Sequence, residues 1–199
     1  MRTVVVAALV VGGIGGGLTG CAGAPALALV PWSPILSGLV ANRGDDWESR
    51  QKLNDLDKKA DWPGMFSLAQ GYLKRDQTDA NWLFVAGYAQ FRQANYAMAI
   101  EGAQSAVSIN PEDLDSWNLL AESLRLSNRA AEALPVLQRA GELDPASAVI
   151  AHLQSTALSS LGDAPAALAA AGRARELAPH EPEYLYVLAN LHNRLGERD

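Results

Sequence analysis

The chain has 199 residues, of which 49% are hydrophobic and 19% charged, a composition that fits one globular domain rather than a disordered or fibrous chain. Its formal net charge of −6 and the lack of a basic cluster argue against nucleic acid as a partner, because phosphate binding needs a positive face. A single cysteine, Cys21, excludes an internal disulfide and any zinc site built from cysteines.

The first twenty residues have the pattern of a secretory signal peptide. Arg2 supplies a positive start, and residues 4–18 are all apolar or glycine. This run is too short and too rich in glycine for a stable transmembrane helix, which needs about 20 apolar residues. The segment ends in Leu18, Thr19, Gly20 and Cys21.

These last four residues resemble the lipobox of bacterial lipoproteins. In that family the cysteine thiol receives a diacylglyceryl group, the chain is cut before the cysteine, and the new amino terminus is acylated. The resemblance implies that residues 1–20 are removed and that lipid on Cys21 anchors the chain, since several acyl chains give stable attachment. Ala22 after the cysteine implies the outer membrane, facing the periplasm. A buried free cysteine and an ordinary cleaved signal are the alternatives.

Residues 21–45 are predicted to form an apolar tether. Pro25, Pro31 and Pro34 argue against one long helix, but the segment is too apolar for a solvated linker. We expect it to pack along the start of the following domain or at the membrane interface. The alternative is a strand that binds a partner.

The strongest periodic signal is a spacing of 34 residues between Pro111, Pro145 and Pro179. This is the period of the tetratricopeptide repeat (TPR), a helix-turn-helix unit, and the chain resembles TPR proteins over residues 46–199. The resemblance implies an all-α superhelix of antiparallel helix pairs. The predicted units are a degenerate repeat 46–79, three repeats 80–113, 114–147 and 148–181, and a capping helix 182–199.

The register of the repeats places small residues where paired helices cross. These positions are Gly87, Ala99, Ala106, Ala121, Ala133, Ala140, Ser155, Ala167 and Ala174. Larger side chains there would push the helix axes beyond the usual separation of about 8–10 Å.

Helix ends follow the same register. The predicted caps of the first helices are Asp79, Asp113 and Ser147. The predicted left-handed residues of the turns are Asn128, Gly162 and Gly196, and Ala94 stands at the equivalent position of one repeat. Pro135 is predicted to bend a second helix without breaking it.

The family resemblance also implies a groove that is lined by the first helix of each repeat and binds a protein partner. The predicted groove residues are Phe84, Tyr88, Phe91, Arg92, Asn118, Glu122, Arg125 and His152. The three aromatic residues either form a pocket for a peptide side chain or belong to the core. Leu185 and Leu188 of the capping helix are either covered by the preceding repeat or form a surface for self-association.

Nothing in the sequence favours catalysis. His152, His180 and His192 lack the spacing of metal ligands, and no paired carboxylates or phosphate-binding loop stand out, so we expect neither metal nor cofactor. We therefore predict a non-enzymatic, membrane-anchored interaction scaffold of the bacterial cell envelope that assists assembly of a pilus, secretion or outer-membrane complex. The alternative is a regulator or adaptor of a peptidoglycan enzyme.

Overall fold

A computed structural model describes residues 39–40 and 42–196 of the chain. Cys21, residues 18–20 and most of the predicted tether lie outside the described residues. The described part contains helices and turns but no strand. Its helices are α1 (Trp47–Lys58), α2 (Trp62–Leu73), α3 (Ala80–Arg92), α4 (Tyr96–Ile109), α5 (Leu114–Leu126), α6 (Ala130–Leu143), α7 (Ala148–Ser160), α8 (Ala164–Leu177) and α9 (Pro182–Leu195).

The helices form successive pairs that stack on one another. Each helix packs against the next in the chain, and α3 contacts α5 as α5 contacts α7. Contacts between alternate helices bring the first helices of neighbouring repeats side by side. The result is the all-α superhelix of helix pairs that the 34-residue period predicts.

Small residues allow the paired helices to touch through their backbones. All nine predicted crossing residues are buried. One close approach joins α3 and α4, where a Cβ atom added to Gly102 would lie 2.8 Å from the Cα atom of Gly87. Gly102 was not among the predicted crossing residues, although it is the residue whose missing side chain sets this distance.

Two of the three predicted caps are present. The Asp79 carboxylate accepts hydrogen bonds from the backbone N–H groups of Asn81 and Trp82, and the Ser147 hydroxyl accepts one from Ile150. Asp113 stands at the N-cap position of α5, as predicted, but the predicted capping bond is wrong, because its side chain makes no hydrogen bond that caps the helix.

The predicted turn residues adopt left-handed backbone conformations. The φ angles are 62° at Asn128, 84° at Gly162 and 77° at Gly196. Ala94 has the same conformation, with φ at 60°, despite its Cβ atom. Pro135 lies inside a continuous α6, so the helix is unbroken as predicted.

The main hydrophobic core extends from the segment before α1 to α7. Val40 is fully buried in it and Leu39 packs against it, so the described end of the predicted tether packs along the array, as expected. The aromatic residues of this core are concentrated in α2 and α3. None of the helices in residues 42–196 is long and apolar enough to cross a membrane.

The last helix, α9, is covered on one side only. Tyr184 packs with alanines of α7 and α8, and Leu191 packs with Ala167 and Ala171, with Leu188 against them. Leu185 remains 46% exposed. The preceding repeat therefore covers part of α9, and self-association through Leu185 stays a prediction.

The close approach of α3 and α4 predicts how two glycine substitutions differ. Gly102→Ala is expected to lower the free energy of unfolding by about 1–3 kcal/mol, because the rigid backbone of α3 must move away. Gly172→Ala is the matched control, since a Cβ atom there meets nothing within 4 Å. That change is expected to raise stability by up to about 1 kcal/mol, because alanine favours helix. Urea denaturation followed by circular dichroism measures both, and stabilisation by Gly102→Ala would contradict the close approach.

Candidate partner-binding groove

Side chains from successive first helices meet along one face of the array. We call this the first-helix face. It is defined by the side chains of α3, α5, α7 and α9 that form the clusters described below. Three clusters of side chains lie on it. The first centres on Arg43, the second on Arg92, and the third on Glu122 and His152.

The first cluster holds the guanidinium group of Arg43. Its Nη1 atom donates a hydrogen bond of 2.7 Å to the Oδ2 atom of Asp113, and its Nη2 atom donates one of 2.7 Å to the Oδ1 atom. Nη2 also donates to Asp115 at 2.7 Å, and Nη1 donates to the side-chain oxygen of Asn81 at 3.3 Å. The Cζ atom lies 4.2 Å from the centre of the Phe84 ring. We call Asn81, Phe84, Asp113 and Asp115 the arginine cradle.

The pairing of Arg43 with Asp113 is largely shielded from solvent. The two side chains are 11% and 10% exposed. Burial acts to raise the pKa of Asp113, but hydrogen bonds from Arg43 and the Ser116 hydroxyl outweigh it and hold that pKa below its usual value. These bonds explain why the Asp113 side chain makes no capping hydrogen bond to α5, since its carboxylate binds Arg43 and Ser116 instead.

The second cluster stacks an arginine on aromatic rings. The Cζ atom of Arg92 lies 3.9 Å from the centre of the Trp62 ring, and Nη1 donates a hydrogen bond to the Tyr88 hydroxyl at 2.5 Å. Trp62 meets Tyr88 edge to face, with ring centres 6.2 Å apart. Burial raises the pKa of Tyr88.

The three predicted groove aromatics lie beneath this surface. Phe84 and Tyr88 are fully buried and Phe91 is 6% exposed. They therefore pack as part of the core, which was one of the two interpretations that the sequence left open. A direct role for them in holding a peptide side chain stays a prediction.

The third cluster begins with a buried ion pair within α5. Glu122 is almost fully buried, and Arg125 donates two parallel hydrogen bonds to it, of 2.7 and 2.6 Å. This fork geometry is the strongest form of a carboxylate–guanidinium pair. One turn earlier, Asn118 is 8% exposed, and its side-chain oxygen has no hydrogen-bond partner among the described residues.

His152 of α7 lies between this ion pair and α9. Its ring centre is 5.1 Å from that of Tyr184, and its Nε2 atom is 3.7 Å from a carboxylate oxygen of Glu183. Burial lowers the pKa of His152 to about 4, with a further lowering by Arg125 that Glu122 opposes. Burial also raises the pKa of Glu183. The histidine is therefore neutral near pH 7 and gives no full ion pair with Glu183.

All eight predicted groove residues lie on first helices, and the structure brings most of them into the last two clusters. Four residues also contribute to the face that were not predicted from the sequence: Arg43, Trp62, Glu183 and Tyr184. Glu183 could have been found, because it stands at the repeat position of Asn81 and Asp115. Arg43 precedes the array and Trp62 belongs to a second helix, so the first-helix register pointed to neither. In residues 42–196, no three histidine, cysteine or acidic side chains are grouped to hold a metal ion.

Comparisons with known proteins agree with this architecture. The chain is similar to TTC0263, a thermophilic TPR protein of Thermus thermophilus, with 22% identity, 72% of this chain and 79% of that chain covered, and a TM-score of 0.63. MamA from Desulfovibrio magneticus RS-1 is 18% identical, with 81% of this chain and 88% of that chain covered and a TM-score of 0.68. YrrB, described as a TPR protein with an unusual peptide-binding site, is 21% identical, with 73% of this chain and 75% of that chain covered and a TM-score of 0.60. These similarities establish the TPR fold.

Similarity in sequence is more limited. Superkiller protein 3 of Saccharomyces cerevisiae is 26% identical over 111 residues, which are 53% of this chain. The match spans only 8% of the length of the yeast protein. No protein-family model matches the chain.

The buried neutral His152 predicts a specific dependence of stability on pH. An unfolded histidine has a pKa of about 6.5. Between about pH 6.5 and pH 4 the unfolded state therefore binds a proton that the folded state does not, and the free energy of unfolding decreases as the pH is lowered. We expect His152 to contribute a loss of about 3 kcal/mol across this range. The stability of wild type minus that of His152→Gln should fall by this amount between about pH 7 and pH 4. His180→Gln, at an exposed position, is the control. The free energies of unfolding come from chemical denaturation at each pH. If plots of this free energy against pH run parallel for wild type and His152→Gln, the assignment is contradicted.

Proposed function

We propose that this chain is a non-enzymatic scaffold that binds a segment of a protein partner on its first-helix face. The observation that carries the proposal is the side-chain oxygen of Asn118, a buried acceptor on this face without a partner in the described residues. An unsatisfied buried polar group costs free energy, so such groups are few in folded proteins. This oxygen is closed to solvent in the free chain, so a backbone N–H of a bound segment would remove that cost once the side chains covering it move aside.

The charge arrangement supports the same role. The face carries Arg92 on α3, the ion pair of Glu122 with Arg125 on α5, and Glu183 on α9. Such fixed charges set the orientation and register of a bound chain more than they add affinity. The similarity to YrrB, which is described as having a peptide-binding site, agrees with this use of the fold.

We further propose that lipid on Cys21 holds the scaffold at the outer membrane of a bacterial cell, facing the periplasm, where it assists assembly of a pilus, secretion or outer-membrane complex. The support is the joint occurrence of the Leu18-Thr19-Gly20-Cys21 motif and an array suited to protein binding. Attachment through lipid would leave the whole array free to meet partners. The choice of machine rests on architecture, which does not fix function.

Asn118→Ala tests the binding face. The change is expected to reduce partner recovery in affinity capture from crosslinked cells by about five- to tenfold, because one buried hydrogen bond to the partner is lost. Its melting temperature should change little, since the Asn118 oxygen makes no bond in the described structure. Gln104→Ala, at an exposed position on α4, is the matched control. Equal recovery by both variants would refute binding at Asn118.

Cys21→Ala tests the anchor separately. Wild type is expected in the membrane fraction and to take up labelled fatty acid, because the thiol is the site of lipid attachment. The variant should appear in the soluble fraction without label. Thr19→Ser, which keeps a small residue before the cysteine, should behave as wild type. Membrane fractionation of Cys21→Ala identical to that of wild type would contradict lipid anchoring while leaving the Asn118 experiment unaffected.

A further inference from the structure

The arginine cradle has the chemistry of a specific guanidinium site. Asp113 accepts both parallel hydrogen bonds of the Arg43 fork, Asp115 accepts a third, and Phe84 places its ring face against the cation. A planar guanidinium group satisfies these three demands together. A lysine ammonium, which is a compact point charge, cannot form the paired bonds.

The cradle is built by the array and not by the segment that fills it. Asn81 and Phe84 belong to α3, while Asp113 and Asp115 lie at the start of α5, about 70 residues after Arg43 in the chain. The packing of two repeats therefore fixes the positions of these groups. Without a cation, two carboxylates would remain side by side on the face, an arrangement that favours binding of a positive group.

The segment that supplies Arg43 is held mainly by its side chains. Val40 is buried in the core, and Trp82 donates from its indole nitrogen to both carboxylate oxygens of Asp45, at 3.1 Å each. The backbone N–H of Arg43 donates to the carbonyl of Val40 at 3.1 Å, so one turn presents both side chains together. Among the described residues, no backbone hydrogen bond joins residues 39–46 to the repeats from α3 onward. A segment attached in this way can open locally while the array stays folded.

We propose that the arginine cradle is a binding site for an arginine side chain of a protein partner, and that Arg43 fills it in the free chain. The recognised segment carries an apolar residue three positions before its arginine, as Val40 precedes Arg43. The partner's arginine and Arg43 then compete for Asp113 and Asp115. The inference rests on the proposed function for its biological use, but the chemistry of the cradle can be tested without any natural partner.

The experiment removes Arg43 from the arginine cradle of the full chain and adds a peptide of known sequence as the ligand. The variant carries Val40→Ser and Arg43→Ala together, and the probe is the capped peptide Leu-Val-Ala-Asn-Arg-Gly. Isothermal titration calorimetry should show this peptide binding the vacated variant at least about tenfold more tightly than wild type, where Arg43 competes. The same peptide with lysine for arginine should bind the variant at least about tenfold more weakly. Adding Asp115→Asn to the variant should weaken the arginine peptide by a similar factor.

A second variant keeps the test decisive if the double change prevents folding. Arg43→Ala alone leaves Val40 in the core, and N-acetylarginine amide should raise its melting temperature in a saturable way while N-acetyllysine amide does not. Arg129→Ala, which removes an exposed arginine paired with Glu132, should show no such effect.

Several results would overturn the proposal. These are equal binding of the arginine and lysine peptides, equal binding to wild type and the vacated variant, or no binding to either variant. Concentration-dependent dimers of wild type that dissociate on Arg43→Ala would show that a second copy of this chain is the occupant. Failure of the Asn118→Ala capture experiment would leave these results unchanged, so the two proposals can fail separately.

Discussion

The close crossing of paired helices is the constraint on which the rest of this structure depends. Small residues at the crossings of the three regular repeats, and the backbone contact of Gly87 with Gly102 in particular, let two helices pack closely as one unit that stacks on the next. A single unit cannot bury its apolar face, so the core forms only through this stacking. Stacking in turn aligns the first helices, and residues one repeat apart, such as Asn81 and Asp115, come to share one surface.

The surface produced in this way is defined by charges that are buried in pairs. Arg43 with Asp113 and Glu122 with Arg125 have little exposure to solvent, and a buried charge is tolerated only when a partner neutralises it. Such pairs add little net stability compared with apolar packing, but the loss of one member is costly. The charged groups of the face are therefore neutralised in pairs in the free chain, whereas the side-chain oxygen of Asn118 has no partner among the described residues.

The period of 34 residues and the small crossing residues were sufficient to predict the fold, because both reflect local rules that repeat along the chain. The same register predicted which helices line the groove. Glu183 also stands in this register, at the repeat position of Asn81 and Asp115. Gly102 was missed because it lies outside the three positions of each repeat that were predicted to hold small crossing residues. The capping bond predicted for the Asp113 side chain is absent because that carboxylate binds Arg43, which lies 70 residues away in a segment without a repeat pattern. Contacts of this kind depend on tertiary packing, which no periodicity encodes.

The central claim is that the first-helix face is the surface that binds a partner. Amide hydrogen exchange of the chain, measured alone and in complex with a captured partner, tests it most directly. The account predicts added protection in α3, α5 and α7, with little change in α4, α6 and α8. Protection confined to the second helices, with the first helices unchanged, would contradict it.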